Sequence, residues 1–129
     1  MKLKGIKLEG TYKIVCYPTC FEIYDEKGNP IYYEENKGRW AKWERDEKGY
    51  VIYYENSDGY WERSKYDEKG NEIYYEDSRG FWAKWEYDKE GNRSYYKNNR
   101  GTIIDKRVKE LTIEEIEKLL GCKIKIRGM

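Results

Sequence analysis

The sequence predicts a mainly β protein: an antiparallel β-meander built from four 21-residue repeats, with one short C-terminal α-helix and a final strand. Three observations predict it. Acidic-basic turns ending in glycine, Asp25 to Gly28, Asp46 to Gly49, Asp67 to Gly70 and Asp88 to Gly91, recur every 21 residues. A second glycine series, Gly38, Gly59, Gly80 and Gly101, keeps the same period at an offset of ten. Between the turns lie short segments rich in Ile, Tyr and Trp, such as Ile31 to Glu34, Ile52 to Glu55 and Trp82 to Trp85, which are strand compositions. Internal periodicity of this kind fixes architecture before any residue is given a role.

The elements follow in order. Residues 1–20 alternate loosely through Leu3, Ile6, Leu8, Tyr12, Ile14 and Cys16, which reads as one or two strands ended by Pro18. Residues 21–105 form the four-repeat array, about eight strands joined by type I turns whose following residue is left-handed, a conformation glycine adopts without steric cost. Because 21 is odd, strict alternation reverses the facing of side chains from repeat to repeat. One turn per repeat must therefore hold an extra, bulged residue. Within residues 106–129, Thr112 is the expected helix N-cap with Glu115 three positions on, Gly121 is the C-cap, and Ile113, Ile116, Leu119 and Leu120 make one apolar stripe expected to lie on the sheet. Cys122 to Ile126 alternates again as an edge strand. The whole chain, 1–129, is read as a single domain.

Composition narrows the function. Charged residues make up 40% of the chain, so burial rests on rings: five Trp, fifteen Tyr and two Phe. With 26 basic against 25 acidic side chains, no global field draws the protein to nucleic acid or an anionic membrane. No apolar run is long enough to span a bilayer and the N-terminal residues lack a signal-peptide core, so the expected location is cytoplasmic. Cys16, Cys20 and Cys122 are expected as reduced thiols rather than as zinc ligands, and no metal or other cofactor is expected. The absence of histidine removes imidazole acid-base chemistry, and the carboxylates recur with the repeat as a solvated face does. The chain is therefore read as no enzyme.

Two features suggest binding. Trp40 with Lys42, Trp61 with Arg63 and Trp82 with Lys84 form an aromatic-basic pair repeated three times. Alternation groups Ile31 and Tyr33 on one face, with Trp40, Trp61 and Trp82 placed beside them, and puts Tyr32, Tyr53, Tyr74, Tyr95, Trp43 and Trp85 on the other. Trp43, Ser64 and Trp85 occupy one repeat position, so a notch is expected between Trp43 and Trp85, lined by Tyr53 and Tyr74. The partner-binding candidates are thus Trp43, Trp85, Tyr53, Tyr74, Lys42, Arg63 and Lys84.

The array resembles the tyrosine-aspartate (YD) repeat family through Tyr24 to Asn29, Tyr66 to Asn71 and Tyr87 to Asn92, each reading Tyr-Asp-x-x-Gly-Asn. The second unit departs from it at Arg45 and Tyr50. That family's long arrays build β-shells, which four units are too few to do. Ile52 to Gly59 and Gly80 to Trp82 are similar to choline- and cell-wall-binding hairpin repeats, whose aromatics form ligand cages. The repeats with their Leu111 to Gly121 tail are similar to small phage-borne and bacterial proteins. These resemblances imply a binding protein that blocks a host protein such as a defence (CRISPR-type) effector by protein-protein contact, or alternatively an aromatic-cage binder of a small ligand, a cell-wall component or single-stranded nucleic acid.

Overall fold

The computed structural model of the chain describes residues 8–107 and 110–121. Ten strands follow one another: β1 (Lys13–Cys16), β2 (Cys20–Tyr24), β3 (Pro30–Glu35), β4 (Trp40–Arg45), β5 (Val51–Asn56), β6 (Trp61–Tyr66), β7 (Glu72–Asp77), β8 (Trp82–Tyr87), β9 (Arg93–Asn98) and β10 (Ile103–Asp105). They form one antiparallel sheet in which spatial order equals chain order. A helix, α1 (Ile113–Leu120), follows. Leu3 and Ile6, read above as strand residues, and the final strand from Cys122 lie outside the described residues.

The turns show how the repeat is built. The backbone N–H groups of Gly28, Gly49, Gly70 and Gly91 donate to the carbonyl oxygens of Asp25, Asp46, Asp67 and Asp88 at 3.0–3.1 Å. Those glycines have φ between +83° and +91°, the left-handed conformation that closes a type I turn back into the ladder. Each turn aspartate also caps the loop from inside. Asp67 Oδ1 accepts from the backbone N–H of Lys69 and of Asn71, both at 2.9 Å, and Asp25, Asp46 and Asp88 repeat the arrangement. The Asn71 amide in particular holds the Asp67 carboxyl below its ordinary pKa.

The bulge that the odd period demands is present once per repeat, one step inside the strand rather than in the turn itself. Ladder register shifts between Ile23 and Tyr24, Glu44 and Arg45, Lys65 and Tyr66, and Glu86 and Tyr87. Opposite those steps, Ile31, Ile52, Ile73 and Ser94 are the residues left without a partner. Each shift restores phase, so equivalent residues of every repeat face the same way.

Contacts run only between strands adjacent in sequence, so the sheet is an open single layer among the described residues. Its core is accordingly small. Only Ile23, Tyr32 and Ala83 are buried among them. Most strand residues are half-buried, and cohesion comes from cross-strand ring pairs such as Trp43 with Tyr54 and Trp85 with Tyr96, each 5.5 Å between centroids.

The helix is capped as expected: the Glu115 N–H donates to Thr112 Oγ1 at 3.1 Å, and Gly121, at φ 69°, donates its N–H to the Glu117 carbonyl. Its expected seat on the sheet is not observed. Among the described residues no strand packs against it, and Leu119 and Leu120 are 74% and 64% exposed. Both sheet faces interleave charged side chains with rings, which leaves no continuous apolar strip on which a helical stripe can settle.

Candidate functional site

The register assigns the seven candidate residues to two faces. Residues directly opposite in an antiparallel ladder share a face. Tyr32 stands opposite Lys42 and Glu34 opposite Trp40; Tyr53 stands opposite Arg63, and Tyr74 opposite Lys84. Hence Lys42, Arg63, Lys84, Tyr53 and Tyr74 lie together with Trp40, Trp61 and Trp82 on one face, called here the Trp40 face. Trp43 stands opposite Tyr54 and Trp85 opposite Tyr96, which puts both tryptophans on the reverse side, the Trp43 face.

Two expectations are corrected by this arrangement. Trp40, Trp61 and Trp82 do not accompany Tyr33, Tyr54 and Tyr75, because each hairpin closes with the tryptophan opposite the glutamate of the Ile-Tyr-Tyr-Glu segment. A notch between Trp43 and Trp85 cannot be lined by Tyr53 and Tyr74, whose rings project from the other side of the sheet.

On the Trp43 face, the position vacated at Ser64 is spanned by a hydroxyl-carboxylate network that the sequence reading missed. Tyr60 Oη donates to Glu62 Oε2 at 2.8 Å, Tyr75 Oη donates to the same oxygen at 3.0 Å, and the two phenols lie 3.2 Å apart. Tyr75 also reaches Asp77 Oδ2 at 3.1 Å. Burial first, and then these hydrogen bonds, hold the Tyr75 hydroxyl in its protonated form well beyond the ordinary phenol range. The signal was in the repeat: Tyr60, Glu62 and Ser64 change together where the next unit has Phe81, Ala83 and Trp85.

On the Trp40 face, the rings and bases satisfy one another. Tyr53 and Trp61 stack at 6.4 Å, and the Arg63 guanidinium lies 5.5 Å from both ring centroids. Arg63 pairs with Glu76 at 3.0 Å and Lys42 with Glu55 at 3.9 Å, across the next strand. The tyrosines bond along their own strands: Tyr32 to Glu34 at 2.6 Å, Tyr53 to Glu55 at 2.7 Å and Tyr74 to Glu76 at 3.2 Å. Burial, followed by the Glu55 carboxylate, pushes the Tyr53 hydroxyl up to about 12. Arg63 and Tyr53 also edge a shallow groove of about 520 Å³ with Glu44, Ile52, Lys65 and Ile73.

This geometry offers an amphipathic surface of rings and charges. Arg63, Lys65, Lys84 and Arg107 lie over its rings, and Lys42 and Arg63 pair with carboxylates of the next strand. Among the described residues no cluster of His, Cys, Asp and Glu has the arrangement of a metal site, and Cys16 and Cys20 are free thiols; Cys122 lies outside them. No helix among the described residues is long and apolar enough to cross a membrane. No family model matches the sequence, and no curated relative does.

Proposed function

We propose that the protein is a non-enzymatic binding module that engages a partner protein through the Trp40 face. The observation that carries this reading is the open single layer. A ten-stranded sheet whose Trp, Tyr and Arg side chains form columns, and which no second layer covers among the described residues, presents the residue types that dominate protein interfaces. Equivalent columns recur on every second strand, about 9–10 Å apart, which is wide for a cage of rings around one small molecule and suits a broad surface. Lys42 and Arg63 pair with Glu55 and Glu76, and these ion pairs interrupt the row of cations that a nucleic-acid backbone would select. The resemblance to phage-borne proteins gives the partner class we favour, a host defence protein that the sheet occludes.

The test is co-purification from a bacterial lysate with tagged wild type and with Arg63→Glu, read by mass spectrometry for proteins and small molecules. The expected result is a stoichiometric protein retained by wild type and lost by a variant that still melts as a folded sheet. Retention of a small molecule alone, or of the same protein by both forms, refutes the reading.

A further inference from the structure

The Trp40 face carries one break in its charge pattern. Lys42 stands opposite Glu55 and Arg63 opposite Glu76, but the third base, Lys84, stands opposite Lys97. Directly opposed side chains in an antiparallel ladder are separated by about 4.5–5.5 Å between Cβ atoms, and like charges there are destabilising. No carboxylate among the described residues forms an ion pair with either lysine. Arg107, a further cation on this face, is already committed: it lies 4.2 Å over the Tyr95 ring and pairs with Asp105 at 2.9 Å and Glu86 at 3.4 Å. Lys84 is exposed and sits 5.8 Å over Trp82. Lys97 follows Tyr95 at the next position on the same face.

We propose that the Lys84–Lys97 pair, between Trp82 and Tyr95, is where the partner protein inserts a carboxylate side chain, taking the place that Glu55 and Glu76 hold in the preceding repeats. The inference deepens the reading of the Trp40 face as a protein-docking surface and rests on it. The occupant is an acidic segment, because a carboxylate placed between the two ammonium groups converts a like-charge repulsion into two ion pairs. The in-sheet pairs Lys42–Glu55 and Arg63–Glu76 show that this face accepts a carboxylate at that register. Binding therefore removes a defect that the free sheet carries.

The test uses hexaglutamate peptide as the probe, followed by nuclear magnetic resonance at low ionic strength, with a dT oligonucleotide as a second arm. Wild type is expected to show saturable shifts of the Trp82 indole N–H with hexaglutamate. Lys97→Glu restores the internal pair, so it should melt at or above the wild-type temperature and weaken the peptide by about tenfold or more, the effect of one charge-pair contact. Lys37→Glu, the same charge change in an exposed turn, should leave binding unaltered. The proposal is overturned if hexaglutamate gives no shift at Trp82, if Lys37→Glu weakens it as much as Lys97→Glu, or if the oligonucleotide shifts Trp82 and the peptide does not. A protein still captured through Arg63 in any of those cases leaves the broader reading standing and removes only this one.

Discussion

Replacing Trp85 by Ser is expected to destabilise the sheet, although the middle repeat has Ser at the equivalent position. The indole is half-buried, packs 5.5 Å from Tyr96 and carries the Arg93 guanidinium 5.8 Å away. Removing roughly 100–150 Å² of contact at about 25 cal/mol per Å² gives roughly 2.5–4 kcal/mol. Among the described residues its Nε1–H is buried without an acceptor, so its loss offsets about 1 kcal/mol and leaves a net cost of about 1.5–3 kcal/mol. Ser64 is tolerated because Tyr60, Glu62 and Tyr75 fill the space with hydrogen-bonded phenols, and Phe81 and Ala83 cannot do so. Copying all three residues, as Phe81→Tyr, Ala83→Glu and Trp85→Ser together, should therefore recover at least half of the loss, a coupling expected only between groups in contact. Urea and thermal melting by circular dichroism measure both variants. A cost below about 1 kcal/mol for Trp85→Ser, or a triple variant no better than the single one, refutes the assignment of that network as the filler.

Three further outcomes follow from the same geometry. Tyr24, Tyr33 and Tyr53 are pushed up to about 12, Tyr24 and Tyr33 chiefly by a neighbouring carboxylate and Tyr53 chiefly by burial. Their contribution is thus present below the unfolded phenol value near 10 and is lost as pH rises from there through about 12; absorbance titration at 295 nm should show a late-titrating set that disappears in urea. Gly70→Ala should destabilise more than Gly59→Ala: both sites have positive φ, +87° and +84°, but a Cβ at Gly70 collides with the Tyr50 phenol while the one at Gly59 meets open space. Equal melting temperatures for the two variants would show that the turn conformation alone sets the cost, on the order of 1 kcal/mol. Thr112→Ala removes the N-cap of α1 and should reduce the helical signal without moving the sheet's melting temperature, since no described strand packs on that helix; a coupled shift would mean the two share a core.

The period, the turns and the helix caps were legible in the sequence because they are local. Asp67 and Gly70 close a turn through atoms four residues apart or fewer, and Thr112 meets Glu115 within one helical turn, so residue type and spacing suffice. The need for a bulge was legible too, as arithmetic on an odd period. Which face each ring takes was not. It depends on whether the hairpin after Glu34 places Trp40 opposite Glu34 or one step away, and a single step exchanges the two faces completely. That choice assembled Tyr53, Arg63 and Lys84 on one side and sent Trp43 and Trp85 to the other. Whether the layer stays open was likewise beyond local pattern, because an aromatic strand reads the same whether a second sheet covers it or water does. Among the described residues the tertiary structure leaves the layer open, with cations lying over several of its rings, Arg63 over Trp61 and Lys84 over Trp82 on one face and Arg93 over Trp85 on the other.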